Sequence, residues 1–154
     1  MAELRIIPVA LSEEITPGDR LPEKILAALR RQRLRLRQGD ILVVTHKIVS
    51  KAEGRVVLLA SVRPSARARR WAHKYKRDAR VAELALRESR RLVRRKRGVL
   101  ITETRQGFVC ANSGVDVSNV DGGRSAVLLP RDPDRSAAAL HRALKRKLRL
   151  HVPV

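Results

Sequence analysis

Two stretches of this 154-residue chain hold residue types suited to binding phosphate and a hard cation. The first is Val43-Val44-Thr45-His46-Lys47-Ile48-Val49-Ser50-Lys51-Ala52-Glu53-Gly54-Arg55, at the exit of an apolar run. Thr45 and Ser50 can donate hydrogen bonds to phosphate oxygens, and Lys51 brings a compact, mobile charge. Gly54 lets backbone approach closely. The stretch is neither a Walker A loop nor a dinucleotide fingerprint, so read alone it suits an ordinary strand-exit loop equally well. The second stretch is Asn112-Ser113-Gly114-Val115-Asp116-Val117-Ser118-Asn119-Val120-Asp121-Gly122-Gly123. Its Asp116, set between Ser113 and Asn119, can hold Mg²⁺ through one carboxylate while water and substrate phosphates complete the shell. Asn119 is then left to bind a ligand. Read alone, an Asx-rich turn explains the same residues more simply.

The remaining reactive side chains do not assemble into a site. His46 is the only histidine beside either stretch, and packing or hydrogen bonding suits it better than metal ligation. His73, His141 and His151 are scattered. No nucleophile–base arrangement can be built, so no catalytic residue is assigned. The lone Cys110 excludes an internal disulfide framework and a Cys-based zinc site, and it reads as a small buried hydrophobe.

The elements that must position these residues follow from apolar periodicity. Short strands are expected at Arg5 to Val9, Ile41 to Val44, Val56 to Leu59 and Ala126 to Leu129. Val99 to Thr102 and Phe108 to Cys110 flank Arg105-Gln106-Gly107 and predict a hairpin. Pro22 opens a helix carrying Ile25, Leu26 and Leu29. From Ser65, a capping residue, to about Arg95 the pattern is helical, with Trp71 on an inner face and Val81, Leu84, Ala85 and Leu92 in one stripe ended by Gly98. Ser136 is expected to cap a last helix bearing Leu140, Leu144 and Leu148, after which Leu150 to Val154 begins like a strand. Strands and helices alternate without a strict βαβ rhythm, so the expected class is α/β of the mixed α+β kind: a mixed sheet with flanking helices in a single domain, 1–154.

Charge is the outlier of composition. There are 35 Lys and Arg against 15 Asp and Glu, a formal net charge of +20. That balance attracts nucleic acid, anionic membrane or phosphorylated small molecules without naming one. With only Trp71, Tyr75 and Phe108 as aromatics, a base-stacking platform is nearly excluded. The excess concentrates between Arg63 and Arg97, most sharply in Arg94-Arg95-Lys96-Arg97. If that region is helical, its cations surround each helix instead of forming one stripe, which favours a solvated face over a nucleic-acid surface. No apolar run approaches the roughly 18 residues of a membrane span. The N-terminus does not read as a signal peptide, so a cytoplasmic, membrane-free protein is expected.

Taken in order, Ile7-Pro8-Val9, Pro17-Gly18-Asp19, Gly39-Asp40-Ile41-Leu42-Val43-Val44 and Val49-Ser50-Lys51-Ala52-Glu53-Gly54-Arg55 resemble the coenzyme F-420 γ-glutamyl ligase family. The match continues through Leu100-Ile101-Thr102-Glu103-Thr104, Gly114-Val115-Asp116-Val117-Ser118-Asn119-Val120 and Leu128-Leu129-Pro130-Arg131-Asp132-Pro133-Asp134. The resemblance implies a mixed α/β fold, an intertwined homodimer, and use of GTP to join L-glutamate to the lactyl carboxylate of F-420-0 through an acyl phosphate. It implies nucleotide contacts by Thr45, His46 and Lys51, a divalent Mg²⁺ or Mn²⁺ on Asp116, GTP on Asn119, and K⁺ as an optional further cation.

Three departures accompany it. Ser12-Glu13 stand where the family has a Leu-Pro pair in its first nucleotide-contacting loop. The region often acidic in the family is basic here. At Val152-Pro153-Val154, family members continue into a strand with an Ile-Thr-Asp-Thr motif, which supplies further metal ligands, and into a second substrate-binding half. The expectation is therefore an apparently truncated N-terminal part, or one component with a separately encoded C-terminal half. A basic nucleic-acid-binding or assembly module on the same scaffold is the alternative, and a non-functional remnant a third.

Overall fold

The computed structural model describes residues 3–117 and 121–154. Helix α1 (Leu21–Arg31) carries Pro22 in its first turn and buries Leu21, Ile25, Ala28 and Leu29 on one stripe. That stripe packs with Leu140 and Leu144 of helix α5 (Pro133–Leu148), and with Ile15, Leu42 and Val152, into the largest apolar cluster. The cap of α5 is Asp132, whose carboxylate accepts from the Arg135 N–H, and not Ser136 as the sequence suggests. Pro133 cannot donate at the first helical position, so the chain enters the helix there and Ser136 lies inside it, bonded to Glu53 and the Asp132 carbonyl.

Three expected strand segments do not form. Arg5 to Val9 is irregular, with Ile6 exposed. Ile41 to Val44 keeps a strand's alternation: Leu42 and Val44 pack inward while Ile41 and Val43 are 70% and 88% exposed. Among the described residues it makes one bond of ladder type, from the Leu42 N–H to the Pro153 carbonyl (2.9 Å), so no strand is established there or at Leu150 to Val154.

The strands that do form make two small antiparallel sheets, which keeps the mixed α+β class and divides the expected sheet in two. Strand β1 (Val56–Leu58) pairs with β5 (Ser125–Val127), and β5 is buried throughout. The second sheet has the order β2-β3-β4, formed by Ser89–Lys96, Val99–Thr104 and Val109–Ala111. The hairpin foreseen around Arg105-Gln106-Gly107 is β3–β4.

Helix α3 (Ala66–Tyr75) is capped by Ser65, whose hydroxyl accepts from the Ala68 N–H, as expected. Helix α4 (Ala79–Glu88) packs on it through alanines, with Ala68, Ala82, Ala85 and Leu100 buried together. The helical pattern ends at Glu88, not Arg95. Ser89–Lys96 is instead the outer strand β2, paired along β3 with Leu92 opposite Thr102 and Arg91 opposite Glu103. Leu92 joins the α3/α4 cluster from the sheet, so its place in a helical stripe is a coincidence of spacing. Arg97 and Gly98 form the β2–β3 turn with φ of +48° and +76°, the paired left-handed geometry of tight hairpins, so Gly98 turns a hairpin instead of ending a helix.

Candidate functional site

The segment after Val44 is a helix, not a loop. Helix α2 (His46–Ala52) begins after Thr45, which is exposed and makes no side-chain cap bond. A helix sets residues four apart on one face, so Lys47 and Lys51 project together. Ser50 lies on the buried side: it is fully enclosed, and among the described residues its hydroxyl has no hydrogen-bond partner. Ser50 therefore does not offer its hydroxyl to a phosphate as the sequence reading had it. Gly54 has φ +69°, and a side chain there would meet nothing closer than the Pro17 Cβ at 3.9 Å. Its role is the left-handed turn, not close approach.

Lys47 Nζ lies 2.7 Å from Asp116 Oδ2, bringing the two sequence stretches together. Asp116 is fixed by backbone: its N–H donates to the Val127 carbonyl (3.0 Å), and the Val127 N–H returns a bond to the Asp116 carbonyl (2.7 Å). Lys51 Nζ lies 2.6 Å from Glu14 Oε1, in the loop where Ser12-Glu13 departs from the family pattern. The neighbouring Glu13 pairs with Lys24 at 2.5 Å. Two lysines on one face of α2 are thus each met by a carboxylate from a different segment.

The turn before Asp116 is anchored from below. Ser113 and Thr102 are buried; their hydroxyl oxygens are 2.8 Å apart, and the Ser113 hydroxyl donates to the Ala85 carbonyl (2.6 Å). The Ser113 N–H donates to Thr102 Oγ1 (3.0 Å). Ser113 holds φ +53°, and at Gly114 (φ +69°) a Cβ would lie 2.8–2.9 Å from the Leu129 side chain. Ser113 is thus spent on holding the turn and does not face a cation beside Asp116. Asn119 lies outside the described residues.

His46 is exposed and lines a groove of about 780 Å³ between residues 41–44, α1 and α5, with Glu53, Arg146 and Lys147 also on its wall. Neither Lys51 nor Asp116 lines it. His141 and His151 contact each other 4.8 Å apart, and His141 Nδ1 is 2.7 Å from the Val152 carbonyl, so both are structural. Burial raises the Cys110 thiol pKa, consistent with an inert half-buried side chain. Among the described residues, no group of three or more His, Cys, Asp or Glu could hold a metal ion. Among the described residues, the carboxylate this turn presents is Asp116, which fits a hard cation shared with substrate phosphates.

Two contributors, Glu14 and the Thr102–Ser113 pair, depend on tertiary placement and carry no signal in the sequence. The two lysines suit a phosphate site by type, and the Lys47/Lys51 spacing becomes informative once the segment is known to be helical.

The scaffold is α+β, with a lysine face on α2 opposed by a turn-borne aspartate and a loop glutamate. The particular family follows from comparison: over residues 11–154 the chain matches the family described as F420-0:Gamma-glutamyl ligase, and it belongs to that family. A Methanopyrus kandleri protein named Coenzyme F420:L-glutamate ligase is 43% identical over 151 residues, covering 98% of this chain and 58% of the relative. Its namesake in Methanothermobacter thermautotrophicus is 43% identical over 128 residues, covering 83% and 50%. That in Methanocaldococcus jannaschii is 38% identical over 111 residues, covering 72% and 44%. The chain spans about half the length of the curated relatives it matches. Among the described residues, no helix is long and apolar enough to cross a membrane.

Proposed function

We propose that this chain supplies the nucleotide-phosphate side of a GTP-dependent ligase that joins L-glutamate to F-420-0 in the cytoplasm, working as a homodimer. The observation that carries the reading is the Lys47–Asp116 pair beside Lys51 on one face of α2, in a chain 43% identical to a protein named for this ligation. In the proposed reaction, a carboxylate oxygen of F-420-0 attacks the γ-phosphorus of GTP, GDP leaves, and an acyl phosphate forms. The glutamate amine then attacks the acyl carbon, loses a proton, and releases inorganic phosphate.

Phosphoryl transfer of this kind depends on positioning and on cations at the phosphate oxygens more than on covalent help from protein. Lys51 exchanges Glu14 for a phosphate oxygen, and Lys47 stays close enough to neutralise a second. Thr45 and His46, exposed at the start of α2, contact the nucleotide next to the groove, whose volume suits a small-molecule ligand. Asp116 would hold Mg²⁺ or Mn²⁺ together with those phosphates, and the cation would supply further neutralisation of charge. Asn119 contacts GTP, and K⁺ can serve as an additional cation.

Calorimetric titration of GTP with Mg²⁺ tests this reading. Saturable binding that weakens at least tenfold in Lys51→Ala is expected. Absence of binding, or equal binding by the variant, contradicts it.

A further inference from the structure

The basic segment changes its meaning once its structure is known. Were it helical to Arg95, its charges would point in all directions. Instead Arg94, Arg95 and Lys96 end the outer strand of a three-stranded sheet, and Arg97 follows in the turn. All four side chains are exposed. The turn rests against the end of α3: a Cβ at Gly98 would be 3.1 Å from Arg77 Nε and 3.3 Å from the Tyr75 Cβ. That contact brings the turn and Arg95, which stands opposite Leu100 on the face toward α3, to Lys74, Lys76 and Arg77, while Arg94 and Lys96 project from the other face of the same free edge; all are exposed.

Neither stretch contains an acidic residue. Among the described residues, none of these seven cations is paired with a carboxylate. Nearby acids are committed elsewhere: Glu103 to Arg90 and Arg91, Asp78 to Arg80, and Glu83 to Arg87. Lysine or arginine on an outer strand does discourage strand-to-strand association. That purpose does not extend to the cations at the end of a helix.

We propose that this joined patch binds the phosphate backbone of duplex nucleic acid without reading its sequence. The three extended residues Arg94 to Lys96 cover about 7–10 Å. Over that length a duplex presents roughly four to six backbone charges. The guanidinium groups match phosphate oxygens in a two-bond fork. Single-strand recognition needs exposed aromatic rings for stacking, whereas Trp71 and Tyr75 here are half-buried with ring centroids 5.4 Å apart, and the exposed Phe108 stands beside Thr104 at the far end of β3. An anionic membrane surface needs large apolar side chains beside the cations, and in the Arg94 to Arg97 strand only Val93 is an exposed large hydrophobic. This surface does not share residues with the proposed nucleotide site, so the two proposals stand or fall separately.

Fluorescence anisotropy with labelled 20-base-pair RNA and DNA duplexes, between 50 and 200 mM salt, provides the test. The wild-type chain should bind at least one duplex, with log affinity falling against log salt at a slope of roughly −4 or steeper. A variant with Arg94→Gln, Arg95→Gln, Lys96→Gln and Arg97→Asn should bind at least tenfold more weakly and with a shallower slope. A second variant, Lys74→Gln, Lys76→Asn and Arg77→Gln, should show the same direction, and it decides the matter if the first does not fold. The charge-matched control Arg33→Asn, Arg35→Gln, Arg142→Gln and Lys145→Gln should lose less than threefold. Equal losses in patch and control variants would mean net charge alone is at work and would overturn the proposal. So would no duplex binding at 50 mM salt, or tighter binding to phosphatidylserine vesicles than to either duplex.

Discussion

Lys51 on α2 reaches Glu14 at 2.6 Å, so the lysine proposed to meet the nucleotide is held by a carboxylate 37 residues earlier. Lys51 is 12% exposed and Glu14 66%, so the acid can swing into water while the lysine stays near its place. An incoming phosphate must displace that partner. Replacing the acid as Glu14→Gln should tighten GTP binding about 2- to 5-fold, matching the modest worth of a solvent-accessible ion pair. Paired titrations of wild type and variant measure it; weaker binding in the variant would show that Glu14 assists the site.

Glu83 should make the fold acid-sensitive. Its carboxylate accepts from the Ser65 N–H (2.9 Å) and from Arg87 Nε (2.8 Å), and these bonds, that of Ser65 foremost, hold its pKa down to about 2 from 4.5. Because the folded-state value is depressed, the stabilisation is fully present above pH 4.5 and is lost as pH falls toward 2. Glu83→Gln should cost about 1–2 kcal/mol at neutral pH and flatten the stability profile between those limits. Denaturant melts across pH 2 to 7 check both effects.

Thr102→Val should disturb the turn that presents Asp116. The substitution removes the acceptor of the buried Ser113 N–H and a partner of the Ser113 hydroxyl. Leaving a buried group unsatisfied costs about 1–3 kcal/mol. A loss of stability in that range, with metal-dependent GTP binding weakened more than binding in the absence of metal, is the expected outcome. Melts and titrations of the same variant report the two parts separately.

What could be read from the sequence was whatever short-range chemistry decides. The Ser65 cap, the β3–β4 hairpin and the α1 stripe rest on neighbours a few residues apart, and all three formed as expected. Segments whose state depends on a distant partner were misjudged. Ile41 to Val44 has a strand's composition but one ladder-type bond, and Ser89–Lys96 has helical spacing but finds β3 alongside. In the candidate site, the two lysines and Asp116 are legible from residue type and motif order, whereas Glu14 and the pairing of Lys47 with Asp116 emerge only when helix α2 turns its lysines toward two separate segments.

The central claim, that Asp116 and the α2 lysines hold a metal-bound nucleotide, is tested most directly by titrating GTP into wild type and Asp116→Ala, each with Mn²⁺ and with chelator. The wild type should bind more tightly with Mn²⁺ than without it. Asp116→Ala should lose that metal-dependent gain while its binding in chelator stays within about threefold of wild type, a difference under about 1 kcal/mol. An undiminished Mn²⁺ gain in Asp116→Ala would contradict the assignment.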